Sequence, residues 1–237
     1  LTRLDQQIYQ ELARMHHPVS NVIVLIITYF GNATVIVLIG LWACLWLLLQ
    51  NRYFSAVILV GGTAAGELLV FLLKLLFERA RPESYFPNLA TAIHSFPSAH
   101  AFVGLVFYGL LVYMLLNTLG NLQSRFYLVL SGSALALLIG FSRLYLGVHW
   151  FSDVLGGYAL AAAWLTILIT ACEMRLRHGG EFPWRANVRP HQLSRPLRLT
   201  ILTLTGIILA WSLYAYIDHR LRIDLPGKPV YNELKMG

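Results

Sequence analysis

Apolar and polar positions fall in long blocks along this 237-residue chain, without the strict alternation of strands. Residues 1–18 are polar and mixed, with Leu4, Ile8, Leu12 and Met15 recurring at steps of three and four. That spacing draws one apolar stripe along a helix and predicts an amphipathic element lying in a membrane interface. From 19 to 49 the chain is almost continuously apolar, interrupted at Gly31-Asn32. One straight crossing needs only about 20 residues. The stretch is therefore read as a short leading helix, a break at Gly31, and a first span over 33–49. Five more apolar runs follow at 54–76, 98–117, 126–146, 153–172 and 199–217. A polar, proline-containing stretch occupies 78–97, a longer basic one 173–198, and a polar basic tail 218–237. The pattern predicts an all-α polytopic membrane protein with about six transmembrane helices in 19–217 and an N-terminal interfacial amphipathic helix. No internal repeat or low-complexity segment is visible.

Composition agrees. Hydrophobic residues make up 57% of the chain and charged residues 12%, against about 45–50% and about 25% in soluble domains. Mean hydropathy is +0.63. Too few charges remain to cover a soluble globule, and a disordered chain is excluded for the same reason. The net charge of +7 sits mainly in gaps between apolar runs, where topology signals and anionic headgroups explain it. No nucleic-acid partner is expected; membrane lipids are. Cys44 and Cys172 lie far apart within apolar runs and carry no ligand spacing. The chain opens on Leu1 rather than Met, so a trimmed chain or part of a longer protein is expected, and 1–18 does not read as a targeting segment.

Six spans place both termini on one side together with the 78–97 and 147–152 connections. The opposite side carries the turns near Arg52 and Arg125 and the 173–198 loop. Setting aside Lys74, Arg81 and Arg143, the first side has seven basic residues and the second eight, six of them in that one loop. The positive-inside rule then makes the second side cytoplasmic and turns the first outward.

Three polar clusters fall on that first side. Lys74 and Arg81 are seven apart, two helical turns, and Pro82 closes the segment. Pro97, Ser98 and His100 open the third span, where free backbone amides suit an anion. Ser142 and Arg143 precede His149 and Asp153, which are four apart, so a helix starting there sets carboxylate beside imidazole. Each cluster alone also has an ordinary structural reading, as a charged cap or a hydrogen-bonded helix end. Together they supply three cations, a hydroxyl, helix-start amides, two histidines and a carboxylate. Cations and amides suit the equatorial oxygens of a transferring phosphoryl group, and one histidine can attack while the other protonates the departing oxygen. No acidic cluster suited to magnesium is present, so no cofactor and no metal are expected.

The order Lys-x6-Arg-Pro, Pro-Ser-x-His, Ser-Arg-x5-His-x3-Asp resembles the three-part signature of the type 2 phosphatidic acid phosphatase superfamily. It is carried here by Lys74, Arg81 and Pro82, by Pro97, Ser98 and His100, and by Ser142, Arg143, His149 and Asp153. The resemblance implies an integral membrane lipid phosphatase acting through a phosphohistidine. His149 would be the nucleophile, Asp153 its orienting acid and His100 the general acid. Lys74, Arg81, Ser98 and Arg143, with Ser142, would hold the phosphate. Undecaprenyl diphosphate or phosphatidylglycerol phosphate is the implied kind of substrate, and a bacterial inner membrane with the site facing outward the implied place. One departure is Ala99, where the family usually has glycine; it matters only if that residue needs positive φ. Three other readings stay open: a phosphotransferase to another lipid, an anion transporter, and a metal site built from His100, His149 and Asp153. Glu67 lies mid-span, where an acid serves either function or a neutral bond between helices. Glu83 and His94 read as solvated loop positions, and His178 and His191 have no partner at ligand spacing.

Overall fold

The protein was analysed as a computed structural model, which describes residues 2–84, 86, 89, 94–116, 118–178 and 194–225. Among them the regular elements are all helices: α1 (Thr2–Arg14), α2 (Pro18–Tyr29), α3 (Ala33–Leu49), α4 (Tyr53–Phe77), α5 (Ala99–Leu116), α6 (Leu122–Tyr145), α7 (Phe151–His178) and α8 (Arg195–Asp224). Most of the basic 173–198 stretch, with His191, and the tail beyond residue 225 lie outside the described residues.

Five helices, α4 to α8, are each long and apolar enough to cross a membrane, and α2 with α3, a pair bent by 49°, makes a sixth where the two count as one broken span. The all-helical, polytopic expectation therefore holds. The bend falls at Gly31-Asn32, where the sequence pattern breaks. A break inside hydrocarbon leaves backbone groups that must be bonded internally. Here Tyr108 Oη donates to the Phe30 carbonyl at 2.8 Å, and the Asn32 side chain accepts from Thr34 N at 2.9 Å and from Tyr216 Oη at 3.0 Å. The last helix runs from Arg195 to Asp224, past both expected ends of 199–217, with its charged residues confined to the outer turns.

Helix α5 is the centre of the bundle. Phe102, Val103, Val106, Phe107 and Leu110 are buried against α3, α4, α6 and α7 residues such as Leu47, Leu59, Ile139 and Leu168. At the opposite extreme α8 leaves Trp211 and Ile208 facing outward, as a lipid-contacting helix does. Helix α1 lies against the ends of α6 and α7, with Leu12 packed among Leu144, Val154 and Phe151.

One close approach sets the height of α5 against α7. Ser98 N donates to the Asp153 carbonyl at 3.1 Å, and a Cβ at Gly157 would stand 2.7 Å from the Ser98 carbonyl oxygen. Backbone on both sides cannot yield as a side chain would. Gly157→Ala is therefore expected to destabilise the fold by about 1–3 kcal/mol, the usual cost of overpacking. Gly61→Ala, where no atom lies within 4 Å, is expected to be neutral; thermal unfolding in detergent compares the two.

Candidate active site

The three sequence clusters converge at one end of the bundle. Helix α4 brings Lys74 to its last turn and ends at Glu78, whose left-handed backbone (φ 44°, ψ 29°) turns the chain inward. That turn delivers Arg79 and Arg81 across the ends of α6 and α7. Ser95, fully buried, fastens the returning strand of chain: its N–H donates to the Arg79 carbonyl at 2.8 Å and its hydroxyl to the Ala80 carbonyl at 3.0 Å. Lys74 Nζ donates to the carbonyls of His94 and Ser95 at 3.0 and 3.2 Å.

Arg81 Nη1 donates to the Val148 carbonyl at 2.7 Å and lies 3.3 Å from His149 Nε2. On the other side of that ring, His149 Nδ1 is 3.4 Å from Asp153 Oδ2. A guanidinium has only donors and an ionised carboxylate only acceptors. These two neighbours therefore favour the tautomer with the proton on Nδ1 and the lone pair on Nε2, on the Arg81 side. Burial first, then the charges of Arg81, Arg143 and Lys74, hold the His149 imidazole well below the ordinary histidine range. Burial also lowers the Arg81 guanidinium, with the Asp153 charge working against it.

Asp153 is wholly buried and accepts from Arg79 Nη1 and from Trp150 N at 2.8 Å. Arg143, 3% exposed, donates to Thr28 Oγ1 at 2.9 Å and to the Leu89 carbonyl at 3.3 Å. His100 sits in the first turn of α5, within the field of Arg143, Arg81 and Lys74. Two buried polar atoms among these groups, Ser98 Oγ and Arg143 Nε, have no hydrogen-bond partner among the described residues. Ser142 differs from the rest: its hydroxyl donates back to Ile139 O, one turn down its own helix.

Ala99 begins α5, and among the described residues the non-glycine ones with positive φ are Asn51 and Glu78. The residue that departs from the expected glycine thus carries no backbone strain. Among the described residues no three His, Cys, Asp or Glu side chains meet in a way that holds a metal ion.

A family model described as the PAP2 superfamily matches residues 55–177. The chain belongs to the PAP2 superfamily. Phosphatidylglycerophosphatase B of Bacillus subtilis (strain 168) is 32% identical over 161 residues, covering 66% of this chain and 77% of the relative. Among solved structures, a transmembrane PAP2-type phosphatidylglycerolphosphate phosphatase from Bacillus subtilis aligns with a TM-score of 0.66 at 25% identity, over 73% of this chain and 86% of that one. Aquifex aeolicus LpxE aligns with a TM-score of 0.52 at 25% identity, over 70% and 94%.

Within this PAP2 protein the sequence motifs did not point to Arg79, Ser95, Thr28 or Asp5. Arg79 Nη2 donates to Asp5 Oδ2 at 2.7 Å, and Asp5 accepts from Ser152 N at 2.9 Å and Ser152 Oγ at 2.6 Å. Burial alone would raise the Asp5 carboxyl, but the bonds from Ser152 and Arg79 outweigh it and hold the group below its usual range. One signal existed: Asp5 lies at i, i+3 and i+7 from Ile8 and Leu12, on the edge of the apolar stripe. Glu83 is exposed as expected, whereas His94, read as solvated, is half-buried and contributes its backbone carbonyl.

The lowered imidazole of His149 has a consequence for stability. In the unfolded chain a histidine takes its proton near pH 6.5, whereas the folded site resists it to lower pH. Stability therefore falls as pH drops below about 6.5, through the window between the two values. The apparent melting temperature is expected to decline from about pH 8 to about pH 5, less steeply in His149→Gln.

Proposed function

We propose that this membrane lipid phosphatase removes the terminal phosphate of a lipid phosphate, with phosphatidylglycerol phosphate as the first candidate substrate. The observation that carries the reading is the pair of buried, unpartnered atoms, Ser98 Oγ and Arg143 Nε, among Lys74, Arg81 and His149. A buried polar atom without a partner costs about 1–3 kcal/mol, so a group that bonds both is favoured there. A phosphoryl group has the acceptor oxygens to meet them, and the surrounding cations would stabilise its charge.

In this mechanism His149 Nε2 attacks phosphorus in line with the lipid oxygen. The P–O bond to the lipid breaks as the N–P bond forms, and the departing oxygen takes a proton from His100. Asp153 holds the Nδ1 proton and stabilises the charge that His149 acquires. Water, losing a proton to His100, then attacks phosphorus, the N–P bond breaks, and phosphate leaves with both histidines restored. Lys74, Arg81, Ser98 and Arg143 hold the phosphate throughout. Ser142 is given a supporting place behind Arg143, because its proton is committed to Ile139 O. The candidate substrate rests on likeness to the Bacillus subtilis phosphatidylglycerophosphatase B; a polyprenyl diphosphate presents the same terminal phosphate chemistry.

Phosphate release by the purified protein in detergent with EDTA tests the reading, with phosphatidylglycerol phosphate and undecaprenyl diphosphate offered in parallel. Wild type is expected to release phosphate and His149→Ala to release none. Ser98→Ala and Arg143→Gln are expected to lose roughly 10²–10³-fold in kcat/KM, the scale of losing one preorganised charge-stabilising donor. Failure to cleave either lipid in a folded sample would sink the proposal.

The balance of basic residues supports a bacterial inner-membrane location with the site on the outer face. A Gly180→Cys variant lacking Cys44 and Cys172 is expected to resist an impermeant thiol reagent in intact cells; labelling from outside would reverse the orientation.

A further inference from the structure

Every charged residue of α1 has a solvent-facing option, yet one does not take it. Glu11 and Arg14 pair with their side chains 67% and 73% exposed, while Asp5 in the first turn is 2% exposed. Burying a carboxylate costs several kcal/mol unless it is fully bonded. Asp5 is bonded to Ser152 through both backbone and hydroxyl and to Arg79 Nη2. The other end of that same guanidinium, Nη1, lies on Asp153 Oδ1 and, at 2.7 Å, on Ser152 Oγ.

We propose that Asp5 is a positioning residue for the His149–Asp153 pair, acting through Arg79, so that seating of the N-terminal helix α1 is a condition of the full catalytic rate. This inference rests on the function proposed above. The guanidinium is planar and rigid, so pinning Nη2 fixes where Nη1 points. Nη1 in turn sets the plane of the Asp153 carboxylate, whose second oxygen faces His149 Nδ1. The Arg79 side chain is 29% exposed, and without Asp5 it has water as an alternative partner. Asp5 also divides the Arg79 charge between two carboxylates, leaving more of the Asp153 charge for the imidazole.

The seat of α1 is built from both sides of the site. Tyr9 Oη donates to the Glu83 carbonyl, and its ring lies 5.8 Å from that of Trp150, the residue after His149. His16 Nε2 is 2.7 Å from the Tyr145 carbonyl at the end of α6. Leu12 fills the space between Leu144 and Val154. Along one helix, then, α1 touches the 79–83 turn, the end of α6 and the start of α7, the three segments that carry Arg81, Arg143, His149 and Asp153.

The test measures kcat and KM for phosphatidylglycerol phosphate with the full chain in detergent. Its variants are Asp5→Asn, Asp5→Glu, Arg79→Gln, the double Asp5→Asn/Arg79→Gln, and His149→Ala. Asp5→Asn is expected to lower kcat roughly 10- to 100-fold, the scale of a small misplacement in a catalytic pair, with KM held within about twofold. Asp5→Glu is expected to recover most of the loss. The double variant is expected to be no slower than Arg79→Gln alone, because the effect passes through one guanidinium. Wild-type kcat in Asp5→Asn overturns the inference, as does multiplication of the two single losses or a change in KM alone. Should Asp5→Asn not fold, Arg79→Lys is read instead. It keeps the charge but loses the fork, and is expected to be as slow as Arg79→Gln; wild-type kcat there overturns the proposal. An active His149→Ala sinks the function itself, whereas an inactive His149→Ala beside a fully active Asp5→Asn sinks only the role of Asp5.

Discussion

Asp153 is the carboxylate that faces His149 in a buried site that also holds Lys74, Arg81, Arg143 and the near neighbour Arg79. Cations gathered away from water repel one another, and each loses hydration that a bond must replace. The fold meets this constraint with backbone carbonyls and two buried acids, Asp153 and Asp5. Carbonyls of His94, Ser95 and Val148 take up Lys74 and Arg81, Thr28 and the Leu89 carbonyl take up Arg143, and Asp153 takes Arg79. Asp153 also fixes the bundle itself, since its backbone carbonyl receives the first amide of the α5 segment. The residue whose carboxylate faces His149 Nδ1 is therefore also the residue whose backbone sets α5 against α7.

That arrangement explains why the irregular segments matter as much as the spans. The 78–98 connection is held by Ser95, the left-handed turn at Glu78 and bonds from Lys74. The bend between α2 and α3 allows α2 to bring Thr28 to Arg143, while Tyr29 is tied to Asp224 at the end of α8 at 2.9 Å. Non-helical backbone at a membrane protein's site is tolerated where protein groups bond it. Polar anchoring here serves the geometry of the cation cluster, and the apolar core around Phe102 and Phe107 supplies the rigid platform beneath it.

Much of this was legible in the sequence, for a simple reason. Helices in lipid satisfy their backbone internally, so length and hydropathy alone mark the spans, and the interruption at Gly31-Asn32 marks the bend. The ion-bearing motifs stand out only jointly, because cations, two histidines and a carboxylate recur at span ends on one side, where a charged cap alone would be ordinary. Their order along the chain, with alternate spans reversing direction, already placed Lys74, His100, Arg143, His149 and Asp153 at one end of the bundle.

What only the tertiary structure decided concerns groups whose spacing carries no signal. Asp5 is far from Arg79 and Ser152 along the chain, and its place at the edge of the α1 stripe tells that the acid can turn inward but not which groups it meets there. Thr28 and Ser95 are ordinary small polar residues until folding sets them against Arg143 and Arg79. Ser142 has the motif position of a ligand, yet the helix it sits in offers Ile139 O, and a hydroxyl has one proton to give. That Ala99 is unstrained depended on a dihedral angle, which composition does not encode. Local pattern determined the spans and which end of the bundle bears the chemistry, because those follow from transfer of each segment into lipid. Hydrogen-bond partners were decided by long-range packing, because a donor bonds what lies within about 3 Å of it, however distant in sequence.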